Sequence, residues 1–232
     1  MTIGVFDGLH QGHRSLIDSV ISQKGMIPWV ITFNNNPKKI LQAGKFPGDI
    51  MLFSEKLAAL ERLGVQAAVM IDFSEEFGKL IGADFMSLIC EHCGLSSLSV
   101  GKDFRLGYRM DTDAEKIRKF YMPQGIAVNV LPSVYYGEEK ISSTLIRGLI
   151  QKGDFSSVQT LLRYQYSVSL NGVYRNTEKS VFKSEISQVL PQKGIYPVFF
   201  EESGRRYAGE VDIDESAVSW HYNGKVEAIT FV

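Results

Sequence analysis

The chain has 232 residues, 44% hydrophobic and 22% charged, with a formal net charge of −1. This is an ordinary soluble composition, large enough for one big core or two modest ones, without the basic excess of a nucleic-acid binder. No apolar run approaches the roughly 20 residues of a membrane helix and no signal-peptide pattern precedes the first strand, so the chain reads as cytoplasmic, with neither membrane nor nucleic acid as partner.

Thr2, Ile3 and Val5 predict a short buried strand, and Asp7-Gly8 a tight turn. Residues 14–24 predict a helix, with Leu16, Ile17, Val20 and Ile21 at helical spacing. His10 and His13 therefore fall together on one face at the mouth of that helix. A helix start offers unpaired N–H groups and partial positive charge, and nearby glycines let the backbone approach an anion closely. Strand, glycine turn and H-x-G-H thus predict a triphosphate cradle with two side-chain donors added. A Walker loop, a G-x-G-x-x-G fingerprint and an H-E-x-x-H zinc helix are all absent. The plain alternative is a pair of surface histidines at a helix cap. Half of the chain's four histidines lie in this one turn, which argues against chance.

Trp29–Phe33 predicts the second strand, stopped by Asn34, Asn35, Asn36 and Pro37. Amides at a strand's carboxyl end lie where open parallel sheets bind ligands, with turn chemistry alone as the alternative. Ser54 is the expected cap of a helix that runs through Leu57, Leu60 and Leu63 to Gly64. Residues 65–72 predict a buried strand, 74–77 and 83–93 helical segments ending at Gly94, and 95–100 another strand. This alternation predicts right-handed crossovers and a parallel sheet. Cys90 and Cys93 form a single C-x-x-C inside a helical pattern, with no second pair to complete a four-sulfur site, and read as reduced cysteines.

Residues 101–109 form a loop of glycine, basic and aromatic residues at a strand's end, suited to a planar ring and a phosphate together. A helix over 113–121 and a strand over 125–131 follow. Ser142, Ser143 and Thr144 then open a helix, with Arg147 one turn in, where hydroxyls and a permanently charged guanidinium can serve an anion; a plain cap with a surface arginine is the alternative. A last helix runs to about residue 162. From Tyr166 the texture changes to short alternating runs and turns such as Asn171-Gly172 and Asn223-Gly224, which predicts a small antiparallel β domain.

These residues resemble the bacterial FAD synthetases, which join an FMN adenylyltransferase domain to a riboflavin kinase domain. Residues 4–13 are similar to that family's G-x-F-D-G-x-H-x-G-H, residues 141–147 to its I-S-S-T-x-x-R, and Thr32-Phe33 with Pro37 to its T-F-x-P-x-P; the likeness covers about residues 2–163. The resemblance implies an α/β chain: a Rossmann-like parallel-sheet nucleotidylyltransferase domain over 1–163, then a small antiparallel β-barrel domain over 164–232. It implies transfer of AMP from ATP to FMN, giving FAD and pyrophosphate with Mg2+, on small-molecule substrates alone. It makes His10, His13 and Arg147 catalytic, and Gly4, Phe6, Asp7, Gly12, Ser142, Ser143 and Thr144 the ATP side. Phe33, Asn35, Pro37, Asp103 and Phe104 become the flavin side. It assigns no magnesium ligands.

Asn35 and Asn36 stand where the family pattern has proline and histidine, and Leu106 where it has phenylalanine. Two other readings therefore stay open: a nucleotidylyltransferase with a different phosphate acceptor, and a non-catalytic flavin- or nucleotide-binding regulator. Residues 188–196 resemble the kinase segment L-P-x-x-G-V-Y, but the kinase's G-F-P-T-A-N is absent, with residues 180–187 in its place. Glu210 and Glu227 are available carboxylates, yet neither matches the kinase base, and loss of riboflavin kinase activity is expected.

Overall fold

The computed structural model describes residues 1–232 and divides into two compact units. The first comprises Met1–Phe46 and Phe53–Lys140; the second comprises Pro47–Leu52 and Ile141–Val232.

In the first unit the chain runs through β1 (Thr2–Ile3), α1 (Gln11–Ile21), β2 (Trp29–Phe33), α2 (Pro37–Leu41), α3 (Phe53–Arg62) and β3 (Ala67–Ile71). It continues through α4 (Gly82–Cys93), β4 (Ser97–Gly101), β5 (Arg105–Leu106), β6 (Thr112–Asp113), α5 (Ala114–Tyr121) and β7 (Ala127–Leu131), and ends in the hairpin β8 (Tyr135–Tyr136) and β9 (Glu139–Lys140). The main sheet has the order β3-β2-β1-β4-β7, with every pairing parallel. Val30, Ile31, Leu98 and Val100 are all at most 1% exposed, the continuous apolar texture of strands covered on both faces. Met86 and Ile89 of α4 and Ile117 and Tyr121 of α5 close the core on one side. The winding reverses between β1 and β4, and in open parallel sheets ligands bind beyond the strand ends at such a reversal.

Several local expectations change. β3 is an edge strand rather than a buried one: it pairs only with β2, and Val69 and Met70 are 41% and 53% exposed. A short apolar run has the same sequence signature whether or not a neighbour covers it. Helix α3 begins at Phe53, so Ser54 lies inside it rather than capping it. Residues 74–77 give no α-helix; a 3-10 turn occupies Phe77–Lys79. The loop after β4 is partly ordered as β5 pairing antiparallel with β6.

The second unit holds α6 (Ser143–Lys152), α7 (Phe155–Leu162), β10 (Ser167–Ser169), β11 (Arg175–Thr177), β12 (Ser180–Phe182), β13 (Gly194–Glu202), β14 (Arg205–Ile213), β15 (Ala217–Trp220) and β16 (Ala228–Phe231). Its seven strands form one antiparallel sheet, order β10-β16-β13-β14-β15-β12-β11, curled as a half-barrel. The two helices belong with this sheet because aromatic rings join them. Phe155 stacks on Phe231 at 4.5 Å and on Tyr166 at 6.3 Å, with Tyr196 edge-on at 5.9 Å. The segment 47–52 is stitched in by main-chain bonds: Asp49 N–H donates to Ser187 O, and Val189 N–H to Asp49 O, each at 2.9 Å. The division between compact units thus falls at 140/141, ahead of the change of texture near 163.

Candidate active site

At the end of β1, Gly4 N–H still donates to Ile31 O of β2 (3.0 Å). The chain then turns through left-handed conformations at Phe6 (φ 53°), Gly8 (φ 81°) and Leu9 (φ 42°). Such angles strain residues that carry a Cβ, and here the strain is held by burial: Phe6 and Leu9 are 0% exposed. Gly4 leaves room for the Phe6 ring, since a Cβ there would sit 3.0 Å from it.

The turn delivers His10 to the start of α1 as its N-cap, where Nδ1 accepts from His13 N–H at 3.4 Å. A ring nitrogen that accepts carries no proton, so the His10 proton lies on Nε2, where it can donate. The two imidazoles stack at 3.7 Å with an 18° interplanar angle, and Phe6 meets His13 edge-on at 5.4 Å. His10 is 5% exposed, so its orientation is fixed by packing. Arg14 Nε donates to Leu9 O at 3.1 Å and locks the turn against the first helical residues. Gly4, Phe6, Asp7, Gly12 and both histidines are therefore brought into one element, a rigid turn ending in a helix N-terminus.

The turn after β2 is tied to this one. Asn36 Nδ2 donates to Asp7 Oδ2 at 3.4 Å, and both residues are buried. Asn36 Oδ1 accepts from Lys38 N–H at 3.2 Å and so caps α2, whose first residue is Pro37. Asn35 N–H donates to Asn34 Oδ1 at 2.7 Å, while Asn35 Oδ1 is buried without a hydrogen-bond partner. A buried acceptor left unmet is costly unless a ligand supplies the donor. Phe33 begins a ladder of edge-on rings, Phe33–Phe73, Phe73–Phe77 and Phe77–Phe85, at 5.7 to 5.9 Å. Phe73, to which the sequence pointed no role, joins this ladder just past β3.

The loop after β4 separates its two candidates. Asp103 is solvent-facing, and its carboxylate accepts from Ser133 Oγ at 2.8 Å and from Lys140 Nζ. The hydrogen bonds from Lys140 and Ser133 hold its carboxyl below the usual range. Phe104 instead packs against the hydrophobic core of the first unit.

In the second unit Ser142 caps α6, its Oγ accepting from Leu145 N–H at 3.1 Å. Ser143 and Thr144 occupy the first two positions of that helix, and Arg147 follows one turn in, 5% exposed, its Nε donating to Gly48 O at 2.9 Å. The chain gathers no cluster of three or more His, Cys, Asp or Glu able to hold a metal. Cys90 and Cys93 are free, and burial, followed by the electrostatic influence of the neighbouring Cys93, pushes the Cys90 thiol up.

The sequence places Lys56 in the run that opens α3 and points to no role for it. Lys56 is 7% exposed on α3 and shares the helix's buried face with Leu60. The spacing of four from Leu60 was the signal, since it puts a lysine on an apolar face.

The family model described as FAD synthetase matches residues 1–145. The chain is 28% identical over 208 residues to the bifunctional riboflavin kinase/FMN adenylyltransferase of Escherichia coli, covering 85% of this chain and 66% of that protein. It thus spans just under two thirds of that relative's length. It is 28% identical over 199 residues to the FAD synthetase of Listeria monocytogenes, covering 84% of this chain and 79% of that one. A crystal structure titled as a macrolide-efflux protein from Streptococcus pneumoniae shares the fold, with a TM-score of 0.78 at 22% identity, covering 100% of this chain and 83% of the other. No helix is long and apolar enough to cross a membrane.

Proposed function

The chain belongs to the FAD synthetase family, and from that premise we propose that it is an FMN adenylyltransferase, moving AMP from ATP to FMN in the cytoplasm. An oxygen of the FMN phosphate attacks the α-phosphorus in line. The bond from that phosphorus to the β-phosphate oxygen breaks, and FAD and pyrophosphate result. No covalent enzyme intermediate is needed, so the protein's task is to orient the phosphates and stabilise developing charge. The observation that carries the reading is the histidine pair at the start of α1: a buried His10 stacked on a partly buried His13 beside a helix N-terminus. In this reading Gly4, Phe6, Asp7 and Gly12 shape the cradle. His10 and His13 donate to the ATP phosphates, Ser142, Ser143 and Thr144 bind the nucleotide, and Arg147 holds the departing pyrophosphate. Magnesium accompanies ATP.

Phe33, Asn35, Pro37, Asp103 and Phe104 take the flavin side. Asn35 supports this most directly, since its buried, unmet oxygen suits a ribityl hydroxyl or an imide N–H. Asn35 and Asn36 also favour the second reading, a different phosphate monoester as acceptor.

By activity, residues 1–163 form the transferase and 164–232 a kinase-derived domain without kinase activity. The stretch that replaces the kinase's nucleotide segment is committed to sheet, Ser180–Phe182 pairing antiparallel with 217–219. Purified protein given ATP, Mg2+ and either FMN or riboflavin, with the flavins separated by chromatography, tests all of this. FAD from FMN with riboflavin untouched is the expected result. FMN formed from riboflavin would refute the loss of kinase activity, and no FAD from FMN would refute the transferase.

A further inference from the structure

Lys56 places an ammonium where two strands end. Its Nζ donates to Phe33 O at 2.8 Å, to Val5 O at 3.1 Å and to Thr32 Oγ1 at 3.1 Å. Thr32 Oγ1 donates onward to Val5 O at 3.2 Å, and the ammonium lies 5.2 Å from the Phe53 ring centroid. A buried charge is expensive unless its donors are met, and an apolar side chain of the same length fills such a space at lower cost. The charge therefore asks for a reason beyond packing.

The identity of the two carbonyls supplies one. Val5 directly precedes the left-handed Phe6 that opens the histidine turn, and Phe33 is the last residue of β2, directly before the asparagine turn. One ammonium thus grips the root of the turn assigned to ATP and the root of the turn assigned to FMN. It also offsets the partial negative charge of two carbonyl oxygens at the sheet end that a triphosphate must approach. We propose that Lys56 is a positioning residue for adenylyl transfer, fixing the histidine turn and the asparagine turn in mutual register. The inference rests on the transferase reading above. In-line attack depends on both substrates being placed together, and a small misplacement of one can cost about 100-fold in rate.

The test compares wild type with Lys56→Met and Thr32→Val, checked for folding by circular dichroism, in FAD formation with ATP and FMN varied separately. Positioning predicts that folded Lys56→Met loses about 10- to 100-fold in kcat while the KM values for both substrates rise together. It also predicts that Thr32→Val shows the same pattern more weakly and adds little on top of Lys56→Met. Hydrogen exchange supplies a readout independent of turnover, with faster exchange in Lys56→Met at both residues 6–13 and 34–37. Should Lys56→Met fail to fold, Thr32→Val carries both measurements. Wild-type kcat and KM in a folded variant, or altered exchange at only one turn, would overturn the proposal. A wild type that makes no FAD would overturn the transferase reading instead, and the exchange measurement would still decide whether Lys56 couples the turns.

Discussion

His10 caps a helix with the ring nitrogen that accepts, which leaves its other nitrogen as donor, and His13 stacks upon it. Alanine at either position removes a donor but leaves the helix N–H groups in place. We expect His10→Ala and His13→Ala each to lower kcat by about 100- to 1,000-fold, with the Kd for ATP, measured by calorimetry, changing far less. An effect confined to ATP affinity would mean that the pair only binds. Asn35 makes a separate prediction: Asn35→Ala should raise the KM for FMN and leave that for ATP unchanged in steady-state kinetics, since its unmet oxygen is the acceptor proposed for the flavin. The histidines were legible in the sequence because motif and helix start coincide within a few residues. The surroundings of Asp103 and Phe104 were less so: one loop sends its carboxylate to Ser133 and Lys140 and its ring into the core, and such partners are distant in sequence.

Several helices of this chain announce an end in the sequence, though α3 does not announce its start. Asp113, Ser142 and Asp154 cap α5, α6 and α7, and Gly94 and Gly153 end α4 and α6 in left-handed conformation. Asp154 Oδ1 accepts from Ser157 N–H at 3.1 Å, and α7 carries Phe155 into the aromatic cluster. Asp154→Ala should therefore cost about 1 kcal/mol of stability, read as a lower urea midpoint with an unchanged slope. Strands announced themselves less well. β3 has the apolar run of a covered strand but lies at the sheet edge. β11 and β12 were not expected at all, because Arg175-Asn176-Thr177 and Ser180 are too polar to show a strand pattern. They are held by pairing with β15 and with each other, with Val181 the one fully buried apolar side chain they contribute.

At the scale of the molecule, the parallel pairing of the first sheet followed from alternating strands and helices, whereas its strand order and the composition of the units did not. Residues 47–52 leave the first unit to bond at Ser187 and Val189, and α6 and α7 join the second through Phe155. Contacts between segments so far apart in sequence leave no periodic signal. They do predict that a fragment of residues 141–232, lacking the 47–52 segment and its buried Ile50, unfolds at lower urea than the second unit does in the intact chain. Equal midpoints would show that the segment contributes nothing.

The proposed activity is one chemical event, transfer of the α-phosphoryl group of ATP with its nucleoside onto FMN. The most direct measurement gives the intact protein Mg2+, FMN and ATP labelled separately at the α- and γ-phosphates, and follows the label into the flavin. The α-label should appear in FAD and the γ-label only in pyrophosphate. A γ-label in the flavin would reveal a kinase, and no label in the flavin would reveal a protein that binds these ligands without joining them.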